Sequence, residues 1–130
     1  MARRILVVED EPNIVDSLSF LMKKAGFDVL VARDGDAAMR MMECKPADLL
    51  LLDIMLPRRD GFDVCRQIRA NPEWRGVKII MLTARGRDLD RRKGMKLGAD
   101  AYITKPFSTR QILAQVNELL GPEPSEAAPR

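Results

Sequence analysis

The sequence predicts a doubly wound α/β domain, a five-stranded parallel sheet with five helices distributed over both faces. Three observations carry this reading. Short apolar runs at 5–8 and 49–52, and a strand-length segment at 77–82 that is apolar but for Lys78, have the length and polar bounds of strands covered on both sides. Between them, apolar residues recur at helical spacing. The two patterns alternate along the chain, which implies right-handed βαβ units.

The first strand, 5–8, runs into Glu9 and Asp10. Pro12 suits a first helical turn, and Ile14, Val15, Leu18, Leu21 and Met22 repeat with the helical period until Gly26. Residues 29–32 read as a second strand. Asp34 then caps a helix with Ala37, Ala38, Met41 and Met42 inward, and Pro46 stops it. The third strand, 49–52, consists of four leucines and delivers Asp53. Pro57 and Gly61 bracket a turn-rich loop at 56–61, and the next helix uses Phe62, Val64, Cys65 and Ile68 before closing at Asn71-Pro72. A fourth strand at 77–82, a short helix at 88–97 ended by Gly98, and a fifth strand at 101–104 follow. The last helix begins near Ser108, with Ile112, Leu113, Val116, Leu119 and Leu120 spaced as in the first. After Gly121 the periodicity stops and prolines recur, so one domain is expected over 1–121 and a disordered tail over 122–130.

A chain of 130 residues is long enough to bury a core without disulfides or a structural metal. Cys44 and Cys65 fall in helical stretches outside any metal-ligand spacing and read as reduced packing residues. The first apolar run is too short for a signal peptide or a membrane span, so a cytoplasmic protein is expected. The chain has no histidine, which removes histidine bases, the usual zinc sites and a phosphohistidine carrier. The net charge of +3 is mixed along the chain and does not imply nucleic acid. A local basic excess, Arg85, Arg87, Arg91, Arg92, Lys93 and Lys96 against Asp88 and Asp90, reads either as a solvated helix face or as a partner surface.

In a parallel sheet the carboxyl ends of all strands share one edge, where ligands bind. Glu9, Asp10, Asp53, Thr83 and Lys105 should therefore converge. Glu9 and Asp10 could also cap the helix starting at Pro12. Clustered carboxylates repel unless a cation compensates, and an all-oxygen donor set suits Mg²⁺ or Mn²⁺. With a lysine and a hydroxyl beside it, Asp53 has the makings of a nucleophile that takes a phosphoryl group and forms an acyl phosphate.

These residues sit in motifs that resemble the receiver domain of bacterial two-component response regulators, over about 4–120. The motifs are Val7-Val8-Glu9-Asp10-Glu11, Leu51-Leu52-Asp53-Ile54-Met55-Leu56-Pro57, Asp60-Gly61, Leu82-Thr83-Ala84, Gly98-Ala99-Asp100 and Lys105-Pro106-Phe107. The resemblance implies a flavodoxin-like strand order 2-1-3-4-5. It implies Asp53 as phosphoacceptor and a metal bound by Asp10, Asp53 and the Met55 carbonyl, with Glu9 acting through water. Thr83, Ala84 and Lys105 would contact the phosphoryl group, Thr83 and Tyr102 would form the switch, and the Lys105-Pro106 bond would be cis. The implied partners are a sensor histidine kinase or phosphotransfer protein and a downstream protein, read out on the fourth helix, fifth strand and fifth helix, with no direct contact to nucleic acid or membrane. Enzymatic activity would be confined to the chain's own phosphorylation and dephosphorylation.

One subgroup, fused to DNA-binding domains, pairs across that face through charges. Here Arg91 and Asp100 remain but Ala101, Gln111 and Gln115 are neutral, which favours a free-standing receiver over a fragment of a DNA-binding regulator. A haloacid dehalogenase type phosphatase needs a second aspartate where Met55 stands. A flavin-binding relative needs a phosphate-friendly loop where Glu9-Asp10-Glu11 repels phosphate.

Overall fold

Successive side chains of a strand point to opposite faces, so each apolar run feeds two cores at once. The computed structural model describes residues 3–83 and 88–121. Its elements are β1 (Arg4–Val8), α1 (Pro12–Lys24), β2 (Asp28–Ala32), α2 (Gly35–Cys44), β3 (Leu49–Asp53), α3 (Gly61–Ala70), a 3₁₀ turn (Pro72–Trp74), β4 (Lys78–Thr83), α4 (Asp88–Leu97), β5 (Ala101–Thr104) and α5 (Thr109–Leu120). The strands pair in parallel in the order β2-β1-β3-β4-β5.

On one face Leu6, Val8, Leu50, Leu52, Ile79 and Met81 meet Ala38 and Met42 of α2 and Val64, Cys65 and Ile68 of α3. On the other, Ile5, Val7, Leu49, Leu51, Ile80 and Leu82 meet Leu18 and Met22 of α1 and Ile112 and Val116 of α5. Each such side chain contributes roughly 1.5–3 kcal/mol by leaving water. Leu50→Ala, which opens a cavity between β3 and its helices, is expected to cost about 2–5 kcal/mol.

The caps explain where helices begin. Asp34 accepts the Ala37 N–H at 2.8 Å, Asp60 that of Asp63 at 2.9 Å, and Ser108 that of Gln111 at 3.0 Å. At α1 the alternative role of Glu9 and Asp10 as a cap is not seen. Glu11 occupies the cap position without a side-chain bond, and the Glu9 carboxylate turns instead toward the sheet edge. Cys65 is buried as expected, and burial pushes its thiol pKa up, but Cys44 at the end of α2 is exposed. β3 and β4 each extend one residue beyond the apolar run, so Asp53 and Thr83 lie in the sheet rather than in loops. The tail 122–130 and Ala84, Arg85 and Arg87 lie outside the described residues. Among the described residues no helix is long and apolar enough to cross a membrane.

Candidate functional site

β1, β3 and β5 bring their last residues to one edge. Asp53 closes β3 opposite Leu82 of β4, and Thr83 closes β4 opposite Thr104. The Lys105 N–H donates to the Thr83 carbonyl at 2.6 Å, which fixes where the lysine side chain starts. Its ammonium then reaches back under the edge. Lys105 Nζ lies 3.1 Å from Glu9 Oε1 and 3.2 Å from Asp53 Oδ1. The second Glu9 oxygen accepts the Glu11 N–H at 3.2 Å. One carboxylate oxygen from each of Glu9, Asp10 and Asp53 lies within 4.8 Å of the other two. Glu9 is 1% exposed, Asp53 4% and Thr83 3%, whereas Asp10 faces solvent.

Buried carboxylates this close cannot all remain charged without help. Burial pushes the Glu9 carboxyl up from its usual value of 4.5, the Asp53 charge pushes it the same way, and Lys105 and the Glu11 N–H only partly pull it back. For Lys105, burial alone would lower the ammonium pKa, but Asp53 and Glu9 outweigh it and the net shift is upward. Lys105 thus stays cationic at neutral pH and offsets one of three carboxylates. A divalent cation fits the remainder: the donors are all oxygen, and exposed Asp10 leaves one side open for the waters such an ion keeps. Among the described residues the Met55 carbonyl accepts no hydrogen bond, which leaves its oxygen available as a further donor.

Residues 5–117 match the response regulator receiver domain. The chain belongs to this family. Solved structures agree. The receiver domain of a sensor histidine kinase from Pseudomonas aeruginosa PAO1, solved with a magnesium ion in its active-site cleft, is 32% identical with a TM-score of 0.85, over 94% of this chain and 100% of that one. A CheY-like receiver domain protein from Methanospirillum hungatei JF-1 is 29% identical with a TM-score of 0.87, over 98% and 100%. NtrX from Brucella abortus is 28% identical with a TM-score of 0.84, and there 92% of this chain matches only 27% of a longer one. The parallel order β2-β1-β3-β4-β5 is the flavodoxin-like order that the resemblance implied.

As the sequence implied, the Lys105-Pro106 bond of this receiver is cis. Tyr102 is half-buried against the α3 side of the core, with its hydroxyl oxygen enclosed. α4 passes over it at Gly94, where an added Cβ would stand 2.8 Å from Met81 Sδ and 3.6 Å from Tyr102 Cε2. Ala84 falls outside the described residues, so its expected phosphate contact has no structural counterpart here.

Two supports have residues that stand in the quoted motifs, Gly61 and Asp100, but whose roles sequence reasoning did not read. At Gly61 an added Cβ would lie 2.4 Å from the Asp53 carbonyl oxygen, so only glycine lets α3 start against the end of β3. Its N–H bonds the Ile54 carbonyl at 2.9 Å, holding the segment after Asp53. The adjacent Arg59 ties that loop to α2 through Asp36 at 3.0 Å and to α3 through Asp63 at 3.5 Å. Farther off, Arg69 of α3 donates to the Gly98 and Val77 carbonyls and to Asp100 at 2.7 Å. Asp100 also accepts the Ile79 N–H at 2.8 Å. The i,i+4 spacing of Arg59 and Asp63 was a usable signal. Arg69 offered none, and Asp100 was marked only as part of Gly98-Ala99-Asp100.

Proposed function

We propose that the chain is a phosphorylation-activated switch in which Asp53 accepts a phosphoryl group from a phosphohistidine of a sensor histidine kinase or phosphotransfer protein. An Asp53 oxygen attacks phosphorus in line, the phosphorus–nitrogen bond breaks, and imidazole leaves, taking up a proton. The observation that carries this is the Asp53 carboxylate held 3.2 Å from Lys105 Nζ with two further carboxylates beside it. Asp10, Asp53, the Met55 carbonyl and, through water, Glu9 would hold Mg²⁺ or Mn²⁺, which supplies charge neutralisation at the phosphoryl oxygens. Lys105 offsets charge as the new bond forms, and Thr83 and the neighbouring Ala84 contact the added oxygens. Bringing Thr83 toward phosphate opens room beside Tyr102, and α4, β5 and α5 change the surface they offer to a downstream protein. The chain's only catalysis is its own phosphorylation and hydrolysis, and it works in the cytoplasm.

A free-standing role is favoured over one within a DNA-binding regulator. Ala101, Gln111 and Gln115 supply no charges for an ion-paired dimer across that face, and Asp100 is already bonded to Arg69. Intact-mass spectrometry after treatment with acetyl phosphate and Mg²⁺ tests the reading. One added phosphoryl group, absent in Asp53→Asn, is expected, and no uptake by the wild type would leave a scaffold rather than a switch.

A further inference from the structure

α4 divides its side chains three ways. Gly94 is buried against Met81 and Tyr102, and Lys93 Nζ sits 4.5 Å over the Phe62 ring toward α3. Arg91, Arg92, Met95 and Lys96 are exposed and line one open groove of about 760 Å³. Arg91 and Met95, and Arg92 and Lys96, are four residues apart and so are surface neighbours on the helix.

This patch differs from the cations of the loop after β3, of α3 and of the sheet edge. Arg58, Arg59, Arg66, Arg69 and Lys105 each have a carboxylate partner. Among the described residues, Arg91, Arg92 and Lys96 have none. The like-charged pair Arg92 and Lys96 works against the helix by a few tenths of a kcal/mol. Between these charges Met95 is 46% exposed, a flexible apolar side chain of the kind that adapts to a partner.

We infer that this face of α4 docks an acidic segment of another protein, whose carboxylates meet Arg91, Arg92 and Lys96 while an apolar side chain covers Met95. Charge complementarity selects the occupant. The three cations described there neutralise few phosphates, and among the described residues the groove presents no aromatic ring for base stacking, which disfavours nucleic acid. A single methionine buries too little apolar surface to hold a membrane. The inference deepens the receiver reading by naming the chemistry of the downstream partner, and it depends on that reading only for its control by phosphate.

The test is NMR titration of the ¹⁵N-labelled full chain, with and without acetyl phosphate. The probe is a short synthetic helical peptide carrying glutamates around a central leucine. Controls are the same peptide with lysines for glutamates, oligothymidylate, and phosphatidylserine vesicles. The acidic peptide is expected to shift the amide signals of residues 91–96. Its affinity should fall about tenfold in Arg92→Glu, less in Arg92→Gln, and several-fold in Met95→Ser, with amide dispersion confirming that each variant is folded. No binding of the acidic peptide in either state, equal binding by the lysine peptide or by Arg92→Glu, or tighter binding of oligothymidylate or vesicles would overturn the inference. Phosphoryl uptake followed in the same samples separates the two claims. Loss of uptake counts against the receiver reading, whereas peptide binding to the untreated chain needs no phosphate.

Discussion

Two carboxylate clusters in this receiver are built to opposite ends. At Asp100 one carboxylate meets one guanidinium, and the remaining Arg69 donors and the Ile79 N–H complete the bonding. At the carboxyl edge of the sheet, Glu9 and Asp53 share Lys105 while Asp10 lies beside them without a cation, among the described residues. The first cluster is satisfied within the chain and acts as a clamp joining α3 to the start of β5. The second is left short of positive charge while being more deeply buried at Glu9 and Asp53. Stability is invested in the clamp and withheld from the edge, which on the proposed reading leaves the edge receptive to a cation and an incoming phosphate.

The comparison can be broken most severely at Asp53. Asp53→Asn is expected to abolish phosphoryl uptake while raising the stability of the metal-free protein by about 1 kcal/mol, since one of three repelling charges is gone. Activity and stability moving in opposite directions is the signature of an uncompensated site. Lys105→Met should act the other way, lowering metal-free stability by about 3 kcal/mol because Glu9 and Asp53 lose their buried partner. Urea unfolding with and without Mg²⁺ checks this, and the loss should shrink when the ion is present. Arg69→Ala should cost about 2 kcal/mol, independent of Mg²⁺, because Asp100 and two carbonyls lose their donor. A Mg²⁺-dependent loss there would erase the distinction between the clusters.

The smallest effect sharpens the comparison through pH. The Glu9 pKa is raised above 4.5 in the folded chain, so folded protein holds that proton more tightly than unfolded protein does. The group therefore favours folding at low pH and loses that contribution as pH rises from 4.5 through its folded value. Glu9→Gln should exceed the wild type in metal-free stability by about 1 kcal/mol at neutral pH, with the gap closing toward acid, as read from unfolding midpoints across pH.

Much of this was legible beforehand for a physical reason. Parallel strands covered on both faces must be apolar throughout, so the leucines before Asp53 announced both the strand and its exit, and Glu9 and Lys105 followed by the same logic. The 3₁₀ turn at Pro72–Trp74 was invisible because three residues carry no period. The Arg69–Asp100 clamp joins residues 31 apart in sequence, a pairing that only the tertiary fold creates. The alternative role of Glu9 and Asp10 as caps of α1 is not what forms: Glu11 holds the cap position without a side-chain bond, and Glu9 pairs with Lys105 at the sheet edge.

Calorimetric titration of Mg²⁺ into the wild type, Asp53→Asn and Arg69→Ala tests the central contrast most directly. One ion per chain is predicted for the wild type, about tenfold weaker binding for Asp53→Asn, and unchanged affinity for folded Arg69→Ala. Equal affinity in wild type and Asp53→Asn, or no binding at all, would contradict the claim that the sheet edge is left short of charge to receive a cation.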